Sequence, residues 1–313
     1  MTIRKITKED ADAAGGGYPK NLGNVYNPPK QLYVNGTLLP EDAMAVALVG
    51  SRRASLYGIE TCDRLAFELA SRGVTIVSGM ARGIDTAAHR GALRAKGRTI
   101  AVMGSGHKNI YPPENADLYK EIVKSGAVIT EYRDDMLPLA QNFPARNRII
   151  SGLSLGVVVV EAARNSGALI TADFAAEQGR TVFAIPGKVS SATSSGTHEL
   201  IKDGAVLVQS VDDIMEELAL VKIAPVKKEA RIKRPDPIKK KTEAYVYNSL
   251  TEAERKVYKV LSENPLYIDE VADKSGLAGP KISEMLLRLQ VKKLIRELPG
   301  KNFVRTENGQ EEN

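Results

Sequence analysis

The sequence predicts an α/β protein: a doubly wound, mostly parallel sheet, with a small C-terminal winged-helix domain. Three observations carry this. Short runs rich in Val and Ile recur through the middle of the chain, apolar on both faces, as strands covered by helices on both sides are. Amphipathic segments alternate with them, several closed by Gly, the residue favoured just past a helix end. That alternation implies parallel strands joined by right-handed crossovers. After residue 220 the texture changes to a basic stretch and then to a new helical pattern, which marks a second domain.

At 313 residues the chain can bury a full α/β core and carry a second small domain. Residues 1–17 are an N-terminal segment whose charged start, MTIRKITKED, lacks the apolar stretch of a signal peptide. The expected sheet domain spans 18–220. It opens with a Pro- and Gly-punctuated extension packed on the sheet, with one strand-like piece, QLYVNG. The strands that follow are AVALVG from Ala45, VTIVSG from Val74, TIAVMG from Thr99, AVITEY from Ala127, GVVVVEA from Gly156 and TVFAIPG from Thr181. GIETCDRLAFELASRG and IDTAAHRGALRAKG are among the helices between them.

Residues 221–248 read as a basic, flexible linker. Lys222 to Asn248 holds nine basic and three acidic residues, and the difference of +6 equals the net charge of the whole chain. Such a segment is a solvated spacer with room for auxiliary phosphate contacts. In 249–306, Thr251 followed three residues later by Glu254 makes a capping box at the start of a helix. YIDEVADKSG is a second helix ending at Gly276. A third helix aligns Ile282, Leu286 and Leu289, and LIRELPGKNFVR is a hairpin with Pro-Gly at its tip. Residues 307–313 are a tail.

Several function classes lack their signatures. No run approaches the roughly 18 apolar residues of a membrane span. The single cysteine, Cys62, permits neither an internal disulfide nor a thiolate zinc cluster, and fits a reducing cytoplasm. There is no G-x-x-x-x-G-K-[ST] loop, no G-x-G-x-x-G after the first buried strand, no H-E-x-x-H and no G-x-S-x-G elbow. The expectation is a protein that is not an enzyme, with no cofactor and no metal, whose basic excess suits an acidic partner such as nucleic acid.

Binding chemistry gathers instead at the strand ends, where ligands of such sheets sit. Gly50 ends a strand; Ser51 and Ser55 can bond an anion at the following helix N-terminus, and Arg52 and Arg53 add phosphate-binding guanidinium groups. SGMARGIDTAAH sets Gly79 and Gly83 around Arg82, with Asp85 expected as a helix N-cap and His89 as a structural hydrogen bonder. Ser105 and Gly106 form a third backbone-exposing turn. In QNFPARNRIISGLS, Phe143 precedes Arg146 and Arg148, a base-stacking ring beside phosphate-binding cations. Asn165, Ser166 and Gly167 open another helix, and Lys188 follows a Pro-Gly pair. One small cofactor needs one such loop, whereas a polymer lying across the sheet touches several.

Eight motifs in this order (YPKNLGNVYNPPKQLYVNG, VALVGSRRASLYG, SGMARGIDTAAHRGAL, AVMGSGHKNIYPPEN, NFPARNRIISGLS, SGALITADFAAEQGR, FAIPG and SSGTHELIKDGA) resemble the DNA-processing protein A (DprA/Smf) family, over roughly Tyr18 to Leu220. Leu250 to Arg305 resembles its winged-helix tail. The N-terminal helical domain of many members has no counterpart in the residues before Tyr18. The resemblance implies an extended Rossmann-like fold that binds single-stranded DNA without catalysis. It also implies protection of incoming DNA during natural transformation and delivery to the RecA recombinase. It puts the strand-binding arginine at Arg52 or Arg53 and the stacking ring at Phe143. The basic helix start falls on Arg146 and Arg148, with further contacts at Asn165 and Lys188. It also implies a homodimer through SSGTHELIKDGAVLV, with His198, Leu200, Ile201 and Val206 at the contact. A second reading is a nucleotide-processing enzyme: SSGTHEL is similar to the loop of phosphoribohydrolases on a related sheet. That loop reads P-G-G-x-G-T-x-x-E, whereas here Ser194 and Ser195 precede Gly196 and the Pro-Gly pair, Pro186 and Gly187, lies farther upstream, a departure that argues against hydrolysis. A transcription-factor reading is weaker, because GPKISEMLLRLQVKKL is basic mainly at its C-terminal end, away from where such helices read bases.

Overall fold

The computed structural model describes residues 3–10, 17–220, 250–262, 266–277, 279–292, 294–298 and 301–305. The chain divides into two compact units, Met1–Lys228 and Glu229–Asn313. The expected linker, 221–248, lies outside the described residues, as does the 307–313 tail.

The first unit is built on one sheet. Its strands are β1 (Arg4–Thr7), β2 (Gln31–Gly36), β3 (Ala45–Val49), β4 (Thr75–Ser78), β5 (Thr99–Val102), β6 (Ala127–Thr130), β7 (Gly156–Val159), β8 (Thr181–Ala184) and β9 (Val206–Leu207). Their spatial order is β1-β2-β6-β5-β4-β3-β7-β8-β9. Every neighbouring pair from β6 through β9 is parallel, and β1 and β2 add an antiparallel edge. The six apolar runs are the six central parallel strands, and QLYVNG is β2. The sequence reading missed β1: its residues RKIT bury only Ile6, so a strand covered on one side at an edge looks like a charged terminus.

Helices α1 (Lys20–Gly23), α2 (Leu56–Ser71), α3 (Ile84–Arg94), α4 (Ala116–Ser125), α5 (Asn142–Leu153), α6 (Gly167–Glu177), α7 (Ser195–Lys202) and α8 (Val211–Glu217) join the strands. Strand side chains alternate between faces. Ala45, Ala47 and Val49 pack with Ile149, Ile150 and Leu153 of α5 and with Ala168, Ala172 and Ala175 of α6. Val46 and Leu48 pack on the other face with Leu65 and Leu69 of α2 and with Ile84 and Ala88 of α3; the free thiol of Cys62 is buried there too. Truncating a fully buried leucine such as Leu65 costs about 2–5 kcal/mol. The chain leaves β3 toward α2 on one face and leaves β7, its neighbour, toward α6 on the other. That divergence opens a crevice at the carboxyl ends of the two strands.

The second unit comprises α9 (Glu252–Val260), β10 (Leu266–Tyr267), α10 (Ile268–Ser275), α11 (Gly279–Val291), β11 (Ile295–Leu298) and β12 (Asn302–Arg305). The strands form an antiparallel sheet in the order β10-β12-β11. This is a winged helix. Gly276 closes α10 with left-handed backbone, φ 67°, and Ile282, Leu286 and Leu289 are buried together. The Pro-Gly hairpin tip lies outside the described residues. The two-residue strand β10 was missed, because Tyr267 reads as a helix start and is indeed the N-cap residue of α10. Among the described residues no helix is long and apolar enough to cross a membrane.

The capping box is formed: the Thr251 hydroxyl accepts from the Glu254 amide at 3.4 Å and the Thr251 amide donates to Glu254 at 2.8 Å. Thr251→Ala should therefore destabilise α9 by about 1 kcal/mol. In hydrogen exchange the Glu252–Val260 amides should exchange roughly 5-fold faster, with the amides of the first unit unchanged.

Candidate functional site

The crevice has a volume of about 750 Å³ and is lined by five of the predicted loops, with Ala81, the buried carboxylate Asp85 and Tyr111 among its residues. Gly50, Ser51, Arg52 and Arg53 line one wall, Phe143 and Arg146 of α5 another, and Asn165, Ser166 and Gly167 a third. Arg52 and Arg53 are exposed, and among the described residues neither makes an ion pair, although the Arg52 charge is felt by the buried Asp85 carboxyl. The Ser51 hydroxyl accepts from the Arg53 amide at 3.1 Å, which tightens the loop.

One expectation about this loop is corrected. The α2 N-terminus is not free to take an anion, because Glu161, only 3 % exposed, occupies it. One Glu161 oxygen accepts from the Ser55 amide at 2.8 Å and from its hydroxyl at 3.2 Å. Ser55 itself is the N-cap, accepting from the Gly58 amide. The helix dipole is met by the protein's own carboxylate, so the cationic character of this wall comes from the two arginine side chains.

Arg146 also differs from its expected role. It is 3 % exposed and faces inward. Its guanidinium donates to the carbonyl of Gly79 at 2.8 Å and to that of Val102, and burial lowers its pKa to about 10. A Cβ at Gly79 would sit 2.6 Å from both Arg146 Nη2 and Asp85 Oδ2, so this glycine makes room for the protein's own side chains. Asp85 is not the N-cap. That position is Gly83, whose φ of 71° suits glycine, and Asp85 lies buried in the first turn of α3. Burial pushes its carboxyl up, and the nearby Arg146 guanidinium pulls it back. Beneath them His89 bonds Thr99 at 2.7 Å, the structural role expected of it.

The remaining predicted residues sit away from the centre. Arg82 is half exposed, ion-paired to Glu114, with its guanidinium 6.0 Å from the Tyr111 ring centre. Arg148 is paired with Glu131 and bonds the Asn27 carbonyl at 3.2 Å, which anchors the N-terminal extension rather than leaving a free cation. Ser105 is buried and donates to the Asn109 carbonyl at 2.7 Å. A Cβ on Gly106 would run into the backbone of Arg133 and Asp134. Neither therefore presents open backbone. Lys188 is exposed on the loop after β8 and does not line the crevice. Around α7 and β9, His198, Leu200, Ile201 and Val206 are each half-buried, and β9 is a sheet edge. Glu199, the residue of interest in the enzymatic reading, is ion-paired to Arg164 at 2.6 Å.

Phe143 is half-buried in the crevice wall with Arg52 5.1 Å and Arg146 6.0 Å from its ring centre. Tyr111 lies beside it, ring centres 5.5 Å apart. No role is legible for Tyr111 in the sequence, where it stands in the turn of NIYPPEN. Its signal was the aromatic in NIYPPEN, beside two prolines that a turn alone explains. In the winged helix, α11 leaves Leu287 and Val291 exposed, 61 % and 77 %, and pairs Arg288 with Glu284 at 2.8 Å.

A parallel sheet with a cationic, aromatic-lined crevice at its topological switch point, followed by a winged helix, defines a class of nucleotide- or nucleic-acid-binding proteins. Residues 11–219 match the family model for DNA recombination-mediator protein A, and residues 242–301 match that for the DprA winged helix domain. The chain belongs to the DprA/Smf family. It is 42 % identical over 286 residues to protein Smf of Escherichia coli K12, covering 90 % of this chain and 74 % of that protein. The X-ray structure of DNA processing protein A from Streptococcus pneumoniae superposes with a TM-score of 0.64 at 42 % identity, over 69 % of this chain and 75 % of that one. DNA processing protein A of Helicobacter pylori, described for its single-stranded DNA binding mode, superposes with a TM-score of 0.59 at 31 % identity, over 66 % of this chain and 94 % of that one.

His89 makes a pH prediction. Burial depresses its pKa from 6.5 to about 3, so between those values the folded state binds fewer protons than the unfolded one. This contribution to stability is complete above pH 6.5 and is lost as pH falls. Chemical denaturation should give a stability about 2 kcal/mol lower at pH 5 than at pH 8 from this residue. His89→Leu should flatten the profile, leaving the smaller slope of the same sign from His107, which burial also depresses.

Proposed function

We propose that this chain is a DNA-processing protein that binds single-stranded DNA in the crevice without catalysing a reaction, using neither cofactor nor metal. The observation that carries this is the pairing of two exposed guanidinium groups without ion-pair partners, Arg52 and Arg53, with the Phe143 ring in one open crevice. Charge holds the phosphates, and an aromatic face accepts any unpaired base. The likeness to the Helicobacter pylori protein supports the same ligand. In this reading Arg52, Arg53 and Lys188 contact the strand directly, and Asn165, Ser166 and Gly167 meet it with backbone and short side chains. Gly50, Gly79, Gly83, Ser105, Gly106, Arg146 and Arg148 hold the loops in place.

The family resemblance supports the wider role: a cytoplasmic homodimer that shields incoming DNA during natural transformation and delivers it to the RecA recombinase. The half-buried apolar side chains beside the β9 edge supply a surface for self-association. Residues 18–220 would act as the DNA-binding domain, 221–248 as the linker and 249–306 as an accessory domain.

The test is a titration of labelled oligothymidylate at several salt concentrations. Arg52→Ala with Arg53→Ala should lower affinity for all sequences alike. It should also lower the slope of log K against log salt by about 1.4, since each phosphate on a single strand contributes about 0.7. An unchanged affinity and slope would remove the crevice as the binding site.

Gly167 gives an independent check. A Cβ there meets nothing within 4 Å, so Gly167→Val should leave the melting temperature near that of the parent. The same change should weaken DNA binding several-fold by blocking close approach to the backbone.

A further inference from the structure

We propose that Tyr111 and Arg82 form a second nucleotide subsite beside Phe143, so that the crevice takes two successive unpaired bases. The inference rests on the single-strand reading above and extends it. Tyr111 is half-buried and lines the crevice. Its ring lies 5.5 Å from that of Phe143, tilted by 54°. Arg52 stands 5.1 Å from the Phe143 ring centre at one end and Arg82 stands 6.0 Å from the Tyr111 ring centre at the other. The order is cation, ring, ring, cation.

Two features turn this row into a ligand site. A tilt of 54° prevents both rings from lying parallel to one base plane. Each ring therefore offers its own face, which suits two bases splayed apart. A single strand permits that, whereas the parallel stacking of a duplex forbids it. Arg82 and Glu114 are both half exposed, at 52 % and 51 %. An exposed ion pair contributes little, so a phosphate arriving at the end of the row displaces Glu114 readily. Glu114 then acts as a competitor whose removal frees Arg82.

The test measures oligothymidylate affinity by fluorescence anisotropy with the full chain, alongside the paired Arg52→Ala, Arg53→Ala variant. Tyr111→Leu keeps bulk without a π-face and should weaken binding roughly 5- to 150-fold, the loss of one stacked base, with the salt slope unchanged. Tyr111→Phe keeps the π-face and should retain most of the affinity that Tyr111→Leu loses, although it removes the bond between Arg82 and the Tyr111 hydroxyl. In a Phe143→Leu background Tyr111→Leu should still cost a comparable factor, because the two rings serve different bases. Arg82→Ala should lower the slope by about 0.7, and Glu114→Gln should tighten binding. If Tyr111→Leu binds like the parent while the paired arginine variant is weakened, the crevice holds one base and the second subsite is wrong. If the Tyr111→Leu loss vanishes in the Phe143→Leu background, Tyr111 only props Phe143, which also overturns it. Should the paired arginine variant bind as tightly as the parent, the single-strand reading itself falls, and this subsite with it.

Discussion

The site depends on one buried guanidinium. Arg146 leaves the first turn of α5, enters the sheet and donates to the carbonyls of Gly79 and Val102 at the ends of β4 and β5. Its Nε donates to Asn147 at 3.3 Å, and the Asn147 amide donates to the Gly167 carbonyl at 3.2 Å. This polar chain runs from two strand ends, through α5, to the start of α6. It fixes the turn that carries Phe143 at a set distance from the Arg52 loop. Burying a cation is expensive unless its hydrogen bonds are satisfied, so the chain tolerates few other arrangements. Gly79 exists in part to admit it.

Glu161 plays the matching role on the other wall. At the α2 N-terminus it accepts from the Ser55 amide and hydroxyl, and it leaves the arginine side chains as the source of positive charge. A rigid backbone cradle, as in dinucleotide-binding folds, would select one phosphate geometry. Long guanidinium side chains on a braced loop accept phosphates at many positions, which a polymer of variable sequence and conformation requires. In this sheet topology one carboxylate closes the backbone site and leaves exposed guanidinium side chains beside it.

The winged helix does not repeat this chemistry. Its helix α11 shows Leu287, Val291 and an internal Glu284–Arg288 pair to solvent. Of its charged side chains, Arg288 is paired within the helix, and Lys281 is also exposed. The two units therefore differ, one with exposed arginines around an aromatic wall and the other with a helix face on which Leu287 and Val291 stand beside a paired Arg288.

The sequence by itself determined the alternation of strand and helix, the strand QLYVNG, the capping box at Thr251 and the Gly276 helix stop. Each is encoded in a few neighbouring residues by apolar periodicity, propensity and capping. It also marked Arg52, Arg53, Phe143 and the Asn165–Gly167 turn, which the fold brings to one crevice. It did not distinguish Arg146, which turns inward, from Arg52, which turns outward, since both stand in polar, Gly- or Pro-marked loops. Nor did it reveal Glu161 as the occupant of a helix N-terminus about a hundred residues earlier in the chain, or the approach of Tyr111 to Phe143. Those outcomes were decided by tertiary structure, because whether a charged or aromatic side chain faces water or the interior depends on partners distant in sequence, which no local pattern records.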